Sequence, residues 1–268
     1  MVINLATAAL ALGSGSLVGL MLGLVGGGGS ILAVPLLVYA VGVPSAHAAI
    51  GTAAIAVALN AASGLAAHAR LGTVKWRCAF VFSGAGIAGA AMGAQLGKTV
   101  NADKLLALFG VMMIAVGLSM LLPRGDARAP NVRLTRETAA QLLPRLMPIG
   151  AGVGLLSGFF GIGGGFLIVP GLMLATGMAL PNAIATSLVA VTAFGLTTAA
   201  SYAIAGFVDW PLALLVIAGG VIGSLAGTKA NAKLAQHDRA LATVFAIVVA
   251  GVGAYVTVRG FGPLMSMF

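Results

Sequence analysis

The sequence predicts an all-α integral membrane protein built from two homologous, inverted repeats. Each repeat is expected to hold about three full crossings plus one glycine-broken helical segment, either re-entrant or two short crossings. Composition, the spacing of apolar runs and the match between the two halves carry this expectation. Of the 268 residues, 60% are hydrophobic and 7% charged, whereas a soluble domain carries about 25% charged residues. That is too little charge to cover a water-soluble particle of this size, so the outer surface faces lipid.

Apolar stretches fall at 5–43, 48–69, 78–97, 105–122, 146–180, 183–207, 210–228 and 241–258. One helical crossing takes about 20 apolar residues, so six of these stretches suit a single helix. The first and fifth are too long for one crossing and short for two. Both contain a glycine cluster, which interrupts a helix. The polar stretch 124–145, with Pro123 and Pro130 near its start, reads as a surface linker carrying a short amphipathic helix around 135–143. The chain thus divides into a first transmembrane repeat (1–123), a cytoplasmic linker (124–145) and a second transmembrane repeat (146–268). The start Met1-Val2-Ile3-Asn4 lacks the basic region of a cleaved signal peptide, so Met1 onward is expected in the mature chain.

Laying the second half on the first pairs Gly19-Leu20 with Gly154-Leu155, Gly23 with Gly158, and Gly26 with Gly161. It also pairs Gly28-Gly29 with Gly163-Gly164, Leu32 with Leu167, and Val34-Pro35 with Val169-Pro170. Further on, Gly72, Trp76, Gly86, Gly89 and Gly93 meet Gly206, Trp210, Gly220, Gly223 and Gly227. Apolar composition produces chance matches of Ala and Leu, but not Gly, Pro and Trp in one order.

Charge predicts orientation. The loop around Arg70, Lys75 and Arg77 is basic, while its counterpart around Asp209 holds no basic residue. Inverted repeats gather most of the 14 basic residues on one face and leave Lys98, Lys104 and Arg259 on the other. Parallel repeats divide them more evenly, so the positive-inside rule favours inversion, with both chain ends outside. The formal charge of +9 therefore reflects membrane orientation, and no nucleic-acid partner is expected. Cys78 is the single cysteine, which excludes an internal disulfide, and His47, His68 and His237 are scattered. No metal, cofactor or enzymatic centre is expected.

The paired runs Gly23-Leu24-Val25-Gly26-Gly27-Gly28-Gly29-Ser30 and Gly158-Phe159-Phe160-Gly161-Ile162-Gly163-Gly164-Gly165 are the sharpest feature. Clustered glycines at membrane depth free backbone N–H groups, which must face protein or a wet cavity because lipid cannot satisfy them. A helix restarting after such a break aims its N–H groups and positive dipole end at that cavity, which suits an anion. Interrupted segments at matching places in two halves point to a transporter binding site. The competing reading is close helix packing, favoured for isolated pairs such as Gly89/Gly93 and Gly223/Gly227.

Thr52, following Gly51, and the pair Thr186-Ser187 offer hydroxyl donors near the start of the next helix in each half. Asn60, Ser63, Asn182, Thr192, Thr197, Thr198 and Ser201 extend the polar positions, with bonding to their own helix as the alternative. His47 and His68 near the ends of the second segment could relay a proton or simply sit at the interface. Trp76, Trp210 and Asp209 read as interfacial. No Asp, Glu, Lys or Arg lies inside an apolar stretch, so backbone and hydroxyl groups must hold any anion. The candidate substrate site is therefore Gly26, Gly27, Gly28, Gly29, Ser30, Thr52, Gly161, Gly163, Gly164, Gly165, Thr186 and Ser187, with Pro35 and Pro170 stiffening the half-helices.

The run Gly26–Ser30 with Pro35, its repeat Gly161–Gly165 with Pro170, and the Gly51-Thr52 and Thr186-Ser187 pairs resemble the TauE/SafE family, over nearly the whole chain apart from the linker. The resemblance implies a permease for sulfur-containing anions, such as sulfite or organosulfonates, in a prokaryotic inner membrane. It leaves the direction of transport open. The first motif reads Gly-Gly-Gly-Gly-Ser and the second Gly-Ile-Gly-Gly-Gly, so the half-sites are expected to contribute unequally. The rivals are a passive anion channel, a membrane-embedded enzyme and a non-transporting accessory subunit. Gly- and Ala-rich faces serve contacts within and between protomers alike, leaving a homo-oligomer open. The orientation predicts that a C-terminal reporter active only in the cytoplasm is silent, whereas one active only outside gives signal.

Overall fold

Helix formation follows the apolar runs closely. The structure is a computed structural model and describes residues 4–121, 134–161, 165–234 and 238–265. Among these residues there is no strand. The first long stretch forms α1 (Leu5–Val25), a 3-10 helix (Gly26–Leu32), the single turn α2 (Ala33–Pro35) and a π-helical turn (Leu36–Ala40). Then come α3 (Ala46–Arg70), α4 (Trp76–Thr99) and α5 (Ala102–Leu121). The second half supplies α6 (Arg136–Phe160), α7 (Gly165–Thr176), α8 (Leu180–Ile204), α9 (Trp210–Leu234) and α10 (Asp238–Met265). By length and composition, 7 helices among the described residues could cross a membrane, and shorter apolar helices occupy both broken segments.

The expected linker differs from the observed chain. Thr135 opens α6 with a capping box, accepting from the Thr138 N–H at 3.4 Å while the Thr135 N–H donates to the Thr138 hydroxyl at 2.9 Å. Residues 136–145 therefore run unbroken into the membrane helix, and 135–143 do not form a separate amphipathic helix. Leu142 and Leu146 are buried on one face of these early turns, which explains why the helix starts before the apolar run. Pro144 and Pro148 lie inside it. Residues 122–133 fall outside the described residues.

Packing interleaves the two halves. Helix α1 lies along α9, with Gly15 against Val216, Gly19 against Gly220 and Gly23 against Ser224. The numbers rise together, so these helices run parallel. Helix α6 lies along α4 in the same manner, with Gly150 against Phe82, Gly154 against Gly86 and Gly158 against Ala90. These are the repeat-equivalent contacts, residue for residue. A Cβ at most of these glycines would enter the partner's backbone, so only glycine permits the approach. Gly89, Gly93, Gly223 and Gly227 also meet backbone, as the packing reading of isolated pairs foresaw.

Equivalent helices of the two halves run antiparallel. Gly51 of α3 meets Tyr202 of α8, whereas Gly195 meets Ala54 and Ala58. Gly110 of α5 meets Thr257 and Gly253 of α10, whereas Gly117 meets Ala246 and Ala250. One end of the bundle gathers His47, Lys98, Ser201 and Phe207, since the Lys98 ammonium reaches the Ser201 carbonyl at 3.3 Å and His47 stacks near Phe207. The opposite end gathers Lys75, Arg77 and Leu134, whose carbonyl accepts from Arg77 Nη1 at 3.2 Å. Trp76 and Trp210 begin α4 and α9 at opposite ends and are 42% and 57% exposed, as interfacial anchors are.

Gly19→Leu and Gly93→Leu are each expected to lower stability by about 1–3 kcal/mol or more, because overpacking forces backbone apart. Gly152→Leu, which points into open space, is expected to leave it unchanged. Unfolding of the purified variants in detergent measures the difference.

Candidate functional site

Two broken segments meet inside the bundle. In the first, the chain does not open at its glycines but tightens into the 3-10 helix Gly26–Leu32. That bonding uses N–H groups which an open break would leave exposed. Gly29 lies directly against the backbone of Met21 and Leu22, so the segment doubles back on α1. Ser30, Ile31 and Leu32 are buried. The return continues through Pro35 to Gly42, whose φ is +81°, and Ser45 caps α3 by accepting from the Ala48 N–H.

The second broken segment follows α6. Helix α6 ends at Gly161, which adopts the left-handed conformation with φ 67° and ψ 21°, and its N–H returns to Gly158 at 3.1 Å. A Cβ here would strike Ile50 of α3, so both backbone and contact demand glycine. Residues Ile162, Gly163 and Gly164 lie outside the described residues. Helix α7 restarts at Gly165 with Pro170 inside it. The 3-10 stretch packs against α7, which places the two broken segments side by side.

Thr52 and Thr186 are fully buried and each clasps the other repeat. The Asp209 N–H donates to Thr52 Oγ1 at 3.0 Å, and the Lys75 N–H donates to Thr186 Oγ1 at 3.0 Å. These bonds are repeat-equivalent and sit at opposite ends of the bundle. Each satisfies a backbone group at the start of a helix, α9 or α4, which has no partner within that helix. Both hydroxyls therefore act as acceptors here. Ser187, expected as a donor towards substrate, instead donates to Ile184 of its own helix at 2.7 Å. Its position two turns into a buried helix makes that short back-bond the available partner. Ser63, Thr192 and Thr197 bond their own helices likewise. Asp209 has a structural role, since its Oδ1 accepts from the Leu212 N–H at 3.1 Å at the start of α9.

Other polar groups are buried without such bonds. Asn60 Nδ2 and Oδ1, Ser83 Oγ, Ser157 Oγ, Thr198 Oγ1, Ser201 Oγ, Tyr202 Oη and Ser224 Oγ have no hydrogen-bond partner among the described residues. Asn60 rests on Gly220, and Gly64, one turn further along α3, faces Ser224. Tyr202, Lys98, Ser157 and Ser224 were missed from the sequence. The repeat alignment held a signal for Tyr202, because Ser201-Tyr202 falls on Ala67-His68 and breaks the match of the halves.

Comparison with known proteins adds to this geometry. The family described as "Sulfite exporter TauE/SafE" matches residues 11–256. A "Probable membrane transporter protein" of Xylella fastidiosa is 46% identical over 255 residues, covering 95% of this chain and 97% of that protein. "Probable membrane transporter protein YunE" of Bacillus subtilis is 28% identical over 263 residues, covering 92% and 96%. "Probable membrane transporter protein MJ0441" of Methanocaldococcus jannaschii is 27% identical over 240 residues, covering 84% and 87%. No solved structure matches the chain.

Thr52→Val and Thr186→Val each leave a buried backbone N–H without its acceptor. Each is expected to cost about 1–3 kcal/mol, read as a lowered unfolding midpoint, while the Ser variants retain most of the stability. The double variant should be additive, because the clasps lie at opposite ends.

Proposed function

We propose, from the premise that this chain belongs to the TauE/SafE family of membrane transporters, that it is a permease for a small sulfur-containing anion such as sulfite or an organosulfonate. It works by alternating access between two repeats of opposite orientation in a prokaryotic inner membrane. The observation that carries the reading is the meeting of two broken helical segments from equivalent places in the halves. Broken helices at such a meeting supply backbone N–H groups and helix ends for an ion that must bind and leave again. The substrate class rests on the family's printed description.

In this reading the end carrying Lys75, Arg77 and the start of α6 is cytoplasmic, as the positive-inside rule requires. Antiparallel α3/α8 and α5/α10 support the opposite orientation of the halves. Gly26–Ser30 and Gly161–Gly165 line the anion path as backbone donors. Opening towards one face then releases one threonine clasp and keeps the other. Outward opening frees Thr52 from Asp209, and inward opening frees Thr186 from Lys75. Each freed hydroxyl meets substrate on its side, while Ser187 must first give up its bond to Ile184.

The test joins binding to flux. Selective thermal stabilisation of the purified protein by one sulfur oxyanion, against a chloride control, is expected. In proteoliposomes, Gly28→Leu and Gly163→Leu are expected to abolish uptake of that anion while insertion stays intact. Unchanged flux in both variants would overturn the site assignment, and unitary currents in a planar bilayer would replace the permease with a channel.

A further inference from the structure

We propose that His47, Lys98, Ser201 and Tyr202 form an oxyanion-binding site at the end of the bundle opposite Lys75, on the outer face in the permease reading above. The four residues come from three helices. His47 lies in the first turn of α3, Lys98 in the last turn of α4, and Ser201 and Tyr202 in the last turn of α8. His47 and Tyr202 have ring centroids 6.3 Å apart, and the Lys98 ammonium is 5.9 Å from the centroid of the Tyr202 ring. The same ammonium donates to the Ser201 carbonyl at 3.3 Å, leaving an ammonium two further donors.

The polar tips of this cluster are what aromatic packing does not explain. His47 Nδ1, Ser201 Oγ and Tyr202 Oη are buried and have no hydrogen-bond partner among the described residues. Tyr202 is 0% exposed. Its ring packs near Phe207 at 6.2 Å, a contact that phenylalanine would make equally well. A buried hydroxyl without a partner is unfavourable, and three such groups on residues that adjoin Lys98 or one another are groups that a ligand rich in acceptors would satisfy. The chemistry selects an oxyanion. Two hydroxyls and an imidazole in its Nδ1–H form donate to separate oxygens, and the ammonium supplies the countercharge and repels cations.

The site adjoins the second broken segment. Gly161, where α6 ends, touches Ile50, one turn along α3 from His47, while Gly51 lies against Tyr202 and the Phe207 carbonyl. The opposite end is built differently. On the repeat alignment Ser201, Tyr202 and His47 correspond to Ala67, His68 and Pro181, so both hydroxyls and one imidazole have no equivalent there. The two ends therefore offer an oxyanion different donors, with the His68 imidazole standing in the place of Tyr202. This asymmetry deepens the permease reading and rests on it for the outer location, but the site itself stands on the cluster.

The test uses the full-length protein in detergent, with sulfite, sulfate and phosphate as probes and the unfolding midpoint as readout. Tyr202→Phe keeps the ring packing, and Ser201→Ala, Lys98→Gln and Lys104→Gln accompany it, the last as a same-face control outside the cluster. A probe that stabilises the unmodified protein is expected to lose about tenfold or more in apparent affinity with Tyr202→Phe and Lys98→Gln, and nothing with Lys104→Gln. Stabilisation by a sulfur oxyanion that all variants keep would overturn the site and leave the permease reading in place. Stabilisation by phosphate alone, lost in the same variants, would uphold the site and overturn the sulfur-anion reading. No response to any probe would overturn the site, and the flux measurement then judges the permease separately.

Discussion

Backbone touches backbone where α1 lies on α9 and where α6 lies on α4, and the rest of the molecule is arranged around those two contacts. Lipid tails are as apolar as leucine, so helices in a bilayer gain little by hiding apolar surface from one another. What holds them is dispersion at short range, which fails once a side chain intervenes. The glycines spaced along these four helices remove the intervening atoms. Because each contact joins the first helix of one repeat to a later helix of the other, neither repeat is fully packed alone.

That interleaving makes the broken segments tolerable. Each returns along the helix that precedes it, inside the bundle, where protein can satisfy the irregular backbone. The two breaks solve the problem differently. The first contracts into 3-10 bonding, and the second turns through a left-handed glycine against Ile50. The threonine clasps extend the same constraint to the helix starts. Thr52 and Thr186 supply acceptors to the Asp209 and Lys75 backbones, and so tie the halves together at both ends.

Against this regular frame the departures from repeat symmetry stand out. Asn60 rests on Gly220, but its counterpart Phe194 rests on Gly86. Lys75 and Asp209 occupy equivalent clasps with opposite charges. Tyr202 and His68 also correspond, and the Tyr202 side carries additional donors. A perfectly symmetric pair of repeats would bind an anion equally at both faces. Unequal side chains on an equal backbone allow the two faces to differ in affinity without a change of fold.

The membrane class, the long apolar helices and the places where helices break were legible in the sequence. These depend on local composition and on the solvent each run must face, and Gly, Pro and Trp in one order expose a duplication directly. The family was legible too, through the same glycine and proline motifs. Only the tertiary structure decided which helix lies on which. The Thr186–Lys75 and Thr52–Asp209 bonds join residues 111 and 157 positions apart, a distance over which no periodicity reports. For the same reason the fates of the hydroxyls were undetermined: Ser187 turned to its own helix, Thr52 and Thr186 to the other repeat, and Ser201 and Tyr202 to neither. A hydroxyl takes the nearest acceptor or donor that three-dimensional packing brings to it, and sequence alone does not name that neighbour.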